Sequence, residues 1–547
     1  MKKIILFSLF ALIFTSCDDA IEIVQKGEIN DKALFTNVNN LQLFLNEVYD
    51  RAAAENDLMA ASALSDEVAL ASGLTSNDAQ RFFMVSTNGN AASIWNSHYQ
   101  LINYCNRAIN GATLFAPSAT ELAQYNSIIA QARALRAFAH FQLLTYFSED
   151  ISNTNALGVM KIDFIPTAQQ KIARSTNGEV FALIESDLAF AEANLGTPYA
   201  GSLPVTSSNS YKYINVNFIN AFKARMYLYR KNYPQALIFA NKAINDSGVS
   251  LASCLFPTTM SANFPVTSDA TVSLTGSTTI NNAPTTNAQQ LALYQMDQWA
   301  PVNAPVYRRM WVDAVQGESL FSLDRPNNKI NFSSRYNTNG SYLTGGPLFD
   351  MGRNLFELYT QPLGGGAQDF RRWCFVDRSS TISASPLTAT RTNEQIVIDK
   401  YPGKTGSHTS NDVKVFRVSE MYFIKAECLA RNSDFSGAAL AIQQVRQARN
   451  YIVGAVVPTP NYTNSTQALA DILLERRKEL SFEGHRYIDL KRFGADAGVT
   501  GTDRYSQDAV NSSATSPVNI NLGDYRFTLP IPQAEINVNP MSQNRGY

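Results

Sequence analysis

Apolar residues recur with a period near 3.6 along several long stretches of the chain, which places them on one face of an α-helix. Ile128, Ala132, Leu135, Phe138, Ala139, Leu143 and Tyr146 trace one such stripe, and Glu149-Asp150 ends it. A second runs from Val216 to Tyr229; the pattern breaks at Asn232-Tyr233-Pro234 and resumes from Gln235 to Ile244. Proline fits there because the first turn of a helix has no use for its missing N–H. A third pair covers Phe416 to Ala430 and Phe435 to Ala448, split by Asn432-Ser433-Asp434. One more helix is predicted from Thr466 to Glu483, with Gly484 as its stop. Between Phe256 and Ser410 the period vanishes: Met260 to Asn287 is rich in Ser, Thr, Asn and Ala, and Gly364-Gly365-Gly366 interrupts any regular element. Strand-like runs there are short, Glu318 to Leu323 and Gln395 to Ile398. The pattern predicts an all-α, mainly helical chain with a loop-rich central region carrying minor β-structure. Long loops on a rigid scaffold are where binding residues concentrate.

Two of the helix pairs share one spacing. Tyr227 to Ile244 reads YLYRKNYPQALIFANKAI, with small Ala236 and Ala243 where two helices must approach closely. Leu429 to Arg446 reads LARNSDFSGAALAIQQVR and sets Phe435 against Tyr233 and Ala438 against Ala236. Both resemble the tetratricopeptide repeat, a helix–turn–helix unit of ~34 residues that buries its face only against a neighbour.

The chain's 547 residues, 45% hydrophobic, are enough for a sizeable core. Its 45 basic against 46 acidic side chains leave no surplus for neutralising phosphates, which argues against a nucleic-acid partner. After the N-terminus no run of ~20 apolar residues occurs, so a helical membrane protein is excluded. The first sixteen residues, MKKIILFSLFALIFTS, carry a positive start at Lys2 and Lys3 and a short apolar run from Ile4 to Phe14, the make-up of a secretory signal. Phe14-Thr15-Ser16-Cys17 resembles a bacterial lipobox, with Phe14 in place of the usual Leu, and marks Cys17 for lipidation. Asp18 and Asp19 resemble the acidic surface-export signal of lipoproteins in the Bacteroidetes lineage. Cleavage removes Lys2 and Lys3 and no acid, so 45 basic residues become 43 against 46. The division expected is a signal over 1–16 and one domain over 17–547. That domain comprises an N-terminal helical part to 255, a loop-rich ligand side over 256–410 and a C-terminal helical part with a tail from 411.

Chemistry is scarce. Gly403-Lys404-Thr405 is half a phosphate-binding loop, but the required earlier glycine is Ile398. Cys105, Cys254, Cys374 and Cys428 are far apart, with no paired spacing and no histidine at metal distance, so no metal site or cofactor is predicted. The densest charge cluster is LLERRKELSFEGHRYIDLKRFG, Leu473 to Gly494. Glu483, His485 and Asp489 could be read there as acid–base groups. No nucleophile stands beside them, so an ion-pair network is expected, with Arg476–Glu479, Arg486–Asp489 and Asp489–Arg492 able to pair at i+3.

That cluster, ERRKELSFEGHRYIDLKRFG, resembles the late signature of the SusD/RagB family of surface nutrient-binding lipoproteins. So does the tail LPIPQAEINVNPMSQNRGY, Leu529 to Tyr547, with Arg545 where the family usually has Pro. IWNSHYQLINYCNRAI (Ile94 to Ile109), ARALRAFAHFQLLTYF (Ala132 to Phe147) and VFRVSEMYFIKAECLARN (Val415 to Asn432) match it too. The resemblance implies a helical fold with a tetratricopeptide-like superhelix on one side. It also implies an outer-membrane lipoprotein, held by Cys17 and facing the exterior, that is not an enzyme. Such a protein captures oligosaccharides, or in some members peptides, as the lid of a SusC-like TonB-dependent barrel; a surface glycan-cleaving enzyme is the other reading. Sugar rings stack on aromatic faces while amides, arginines and carboxylates take their hydroxyls. The region the resemblance implicates contains Asp66, Arg81, Phe82, Phe83, Trp95, Asn96, Trp299, Tyr307, Arg308 and Trp311. Trp373, next to Arg371 and Arg372, reads as packing.

Overall fold

Asparagine, aspartate and threonine open most of the long helices, each side-chain oxygen taking a backbone N–H that a first turn leaves unpaired. The computed structural model describes residues 31–71, 76–167, 169–195, 209–256, 278–279, 304–326, 332–336, 348–377, 380–382, 394–404, 407, 410–509 and 516–547. Helix α1 (Asp31–Leu34) leads into α2 (Val38–Arg51), capped by Asn37, and α3 (Glu55–Ala63). After strand β1 (Val68–Leu70), Asn88 caps α4 (Gly89–Ala112). Helix α5 (Leu122–Phe147) carries the first predicted stripe, and a capping box of Thr176 and Glu179 starts α6 (Asn177–Asn194). Helices α4, α5 and α6 pack in succession, with α2 against α4 and α5. Helix α7 (Val216–Tyr229) follows its cap Asn215, and α8 (Tyr233–Asn245) follows Asn232.

The centre is more ordered than its sequence predicts. Strand β2 (Thr278–Thr279) pairs with β5 (Thr381–Ile382). Helix α9 (Val306–Trp311) precedes β3 (Ser319–Leu323), and β4 (Phe349–Met351) pairs antiparallel with β1. Helices α10 (Arg353–Tyr359) and α11 (Arg371–Phe375) follow. Elements of one or two turns have too few residues to display a 3.6 period, and these are buried on most sides.

Strand β6 (Val413–Arg417) pairs antiparallel with β3, so Phe416 lies in a strand and the next helix, α12 (Val418–Arg431), starts two residues later than expected. Helix α13 (Phe435–Arg449) is capped by Asp434 and α14 (Ser465–Glu479) by Asn464. Helix α14 stops at Glu479, short of the predicted Glu483, because Phe482 (φ 62°) and Gly484 (φ 84°) are both left-handed and turn the chain into α15 (Arg486–Phe493). Last comes α16 (Gln533–Val538).

Helices α7, α8, α12, α13 and α14 stack pairwise as repeat units do, with Ala236 and Ala438 fully buried at the crossings. The two turns agree in backbone detail. Lys231 (φ 58°) and Ser433 (φ 61°), each two residues before the matched aromatic, are both left-handed. Phe321 and Phe416 carry the β3–β6 ribbon onto α5 and α7 through edge-to-face contacts with Phe218 at 4.8 and 5.4 Å, while Phe138 meets Phe416 at 6.2 Å. One cluster of buried apolar side chains extends from Phe35 to Ile531.

Candidate functional site

The signature cluster lies inside the protein and is ionic. Glu479 accepts from Arg449, Arg371 and Arg417 and from the hydroxyl of Tyr307, at 2.8–3.1 Å. Burial alone would raise its pKa, yet the Arg449 and Arg417 guanidiniums hold its carboxyl well below the usual carboxylate range. Glu483 binds Lys400 and Arg417 at 2.6 Å. Of the three pairs predicted at i+3, Asp489–Arg492 forms at 2.9 Å, whereas Arg476 reaches Asp489 and Arg486 reaches Asp66.

Several residues predicted to meet a ligand serve this interior instead. Tyr307 and Trp311 are fully buried on α9. The Arg449 guanidinium lies 4.0 Å from the Tyr307 ring, and Lys400 and Arg417 lie 4.6 and 5.2 Å from that of Trp311. Arg308 is buried, pairing with Asp399 at 2.7 Å and donating to the carbonyl of Cys374 at 2.9 Å. Asp66 takes both prongs of Arg486 at 2.8 Å, with Arg477 at 3.5 Å and the Asp503 amide at 2.9 Å. Trp95 is 1% exposed, packs on Phe147 at 4.9 Å and donates its indole N–H to Glu535 of α16. None of these offers a free face to a sugar. Trp299 lies outside the described residues, as do the signal and Cys17. Trp373 is half-buried beneath Arg372, as packing requires.

Arg81, Phe83 and Asn96 remain at the surface. Their loop is built around Phe82, which is 1% exposed and left-handed (φ 52°), a conformation that costs a bulky residue ~1–2 kcal/mol. Arg504 holds it there. Its guanidinium lies 3.9 Å from the Phe82 ring and donates to the carbonyls of Ala63, Ser65 and Gln80. Arg526 donates to the Phe82 carbonyl at 3.3 Å, and the Gln80 amide reaches the Asp508 carbonyl at 2.8 Å. At the far end Asn88, the cap of α4, donates to the Phe83 carbonyl at 3.2 Å, and the Ser86 hydroxyl donates to the side-chain oxygen of Gln533 at 3.0 Å. The turn thus directs the Phe83 ring outward, 42% exposed on a fixed backbone. Neither Arg504 nor Arg526 stands out in the sequence, because each lies more than 400 residues from the loop it supports.

A cavity elsewhere is too small to hold a sugar. Asp57, Gln142, Arg225, Tyr229, Glu483 and His485 line a cavity of about 30 Å³, room for a water or two and no sugar ring. Among the described residues no group of three His, Cys, Asp or Glu side chains converges to hold a metal ion, and no helix is long and apolar enough to cross a membrane. The four cysteines after Cys17 are free and buried.

The fold is a stacked-helix scaffold that presents a braced surface loop with an outward ring. Residues 381–547 match the model of the SusD family, and residues 22–215 match that of a family described as starch-binding and associating with the outer membrane. SusD-like protein P2 of Formosa agariphila is 22% identical over 577 residues, spanning 100% of both chains. SusD-like protein P25 of that organism is 30% identical over 147 residues, 26% of each. A SusD superfamily protein from Bacteroides thetaiotaomicron superposes with a TM-score of 0.70 at 21% identity, over 93% of this chain and 100% of the other. A putative sugar binding protein from Bacteroides vulgatus does so with 0.66 at 21%, over 94% and 99%. The chain belongs to the SusD/RagB family.

Proposed function

We propose that residues 17–547 act as one cell-surface lipoprotein, anchored through Cys17 to the outer membrane and facing outward. It captures oligosaccharides and passes them to a SusC-like TonB-dependent transporter, without cleaving them. Family membership supports the nutrient-binding role, and the B. vulgatus neighbour, described as a putative sugar binding protein, supports the ligand class. The observation that carries the site is the Phe83 ring, held outward on a loop whose backbone is braced at Gln80, Phe82 and Phe83. A sugar's apolar face stacks on such a ring at little entropic cost, because the platform is already fixed. Trp299, in the central segment, is a second aromatic that we assign to the ligand on sequence grounds.

Titration calorimetry of the purified chain against a panel of plant and algal oligosaccharides tests this. Phe83→Ala is expected to weaken the saccharide that binds by roughly ten- to hundredfold, the ~1–3 kcal/mol of one stacking platform. Its melting temperature should change little, since the Phe83 ring is 42% exposed. Equal affinity in the variant removes Phe83 from the site, and new reducing ends in the incubated sugar refute the non-catalytic reading.

A further inference from the structure

Two arginines at the loop that carries Phe83, Arg81 and Arg504, have no carboxylate partner among the described residues. Most buried arginines elsewhere, though not the carbonyl-bound Arg174, are matched to carboxylates: Arg371 to Asp369, Arg417 to Glu318 and Glu483, Arg449 to Glu318 and Glu479. Arg81 is not, and its guanidinium makes no ion pair or hydrogen bond among the described residues. Arg504, against the Phe82 ring, is bound to three carbonyls and, among the described residues, to no carboxylate within ion-pair distance. Burial lowers its pKa to about 9, still charged at neutral pH, with Asp66 and Asp508 acting against that fall. Those two acids are engaged elsewhere, Asp66 by Arg486 and Asp508 by the Arg353 amide. The 24-residue helix α4 also begins at this loop, adding the positive end of its dipole beside Phe83, to which Asn88 ties it. The acid nearest in sequence is Asp78, whose Oδ2 accepts from Asn88 at 3.3 Å.

We infer that the saccharide bound at this loop is acidic, with the Arg81 guanidinium taking a uronate carboxylate or a sulfate ester of a sugar whose ring stacks on Phe83. This rests on the sugar-binding reading above and narrows it. A guanidinium presents paired donors that match the oxygens of either anion, so Arg81 meets both chemistries with one geometry. A rigid loop keeps the charge and the ring at a fixed separation, which favours sugars bearing the acid close to the stacked ring. Neutral sugars would gain the stacking and leave the cation unmatched.

The test compares an oligogalacturonate, a sulfated galacto-oligosaccharide and a neutral malto-oligosaccharide of equal length on the full chain, Arg81→Gln, Arg81→Lys and Phe83→Ala. The full chain is expected to bind at least one acidic probe about tenfold or more tighter than the neutral one. Arg81→Gln should erase that preference, and Arg81→Lys should restore part of it. The preference should also fade in 1 M salt, where screening acts over ~3 Å. Which acidic probe wins tells carboxylate from sulfate. Neutral binding that needs Phe83 but shows no acidic preference overturns this inference and leaves the sugar-binding reading standing. An acidic preference that survives Arg81→Gln overturns it as well. No binding by any probe overturns both.

Discussion

Glu67 sits one residue from the ion-paired Asp66, fully buried, and its environment sets a pH dependence on the whole protein. Burial pushes its carboxyl from the ordinary 4.5 up to about 7; the Ser62 hydroxyl, the Phe482 amide and Lys400 pull against that rise, and the Asp66 charge adds to it. The unfolded chain gives up this proton near 4.5 while the folded protein keeps it to about 7, so the stability it contributes falls across that interval and is flat above it. Glu67→Gln holds the neutral shape at every pH. The variant should therefore unfold at higher urea than the parent at pH 8, by up to about 3 kcal/mol, and near parity at pH 4.5. A variant less stable than the parent at pH 8 would mean the ionised carboxylate is welcome where it lies. At this scale the sequence is least informative. Arg81, Phe82 and Phe83 are adjacent letters, and only the left-handed turn decides that Phe82 is core and Phe83 is surface. Asp66 and Arg486 are 420 residues apart, so nothing local marks Asp66 as an ion-pair partner rather than a group awaiting a sugar hydroxyl.

Periodicity serves the long elements well. The stretch predicted from Val216 to Tyr229 is α7 residue for residue, and the stretch from Phe435 is α13. It fails at α9, a six-residue helix that reads as loop, and Tyr307, Arg308 and Trp311 go astray with it. Trp311 closes the core between Phe375 and Tyr401, with ring centroids at 5.9 and 5.5 Å, and gives the buried ammonium of Lys400 an aromatic face. Trp311→Ala should therefore act on stability, costing ~3–5 kcal/mol as a truncated core aromatic does, with a further loss from the exposed flank of the Lys400–Glu483 pair. Thermal or urea unfolding reads this directly. A variant with parental stability but lost saccharide binding would return α9 to the ligand side.

Across the whole molecule, order in sequence and order in space part company. Blocks near 95, 140, 420, 480 and 540 reveal the family because each is a segment with its own local pattern. The proposed site is not such a segment, since its loop is braced by Arg504 and Arg526 from the far end of the chain. The N-terminal address is the opposite case, a linear signal that needs no fold to be read. If Cys17 is the acylated residue, its lipid chains and the cut before it depend on one thiol, and a serine or alanine offers no acceptor. Two or more acyl chains give an anchor that a single chain cannot match, so the difference in fate should be near complete. Cys17→Ala is expected to accumulate as uncleaved precursor or to leave the membrane fraction, and to resist removal by protease added to whole cells. Parental surface exposure of the Cys17→Ala chain in that shaving experiment would refute the anchor and, with it, the placement of the Phe83 loop at the cell exterior by this route.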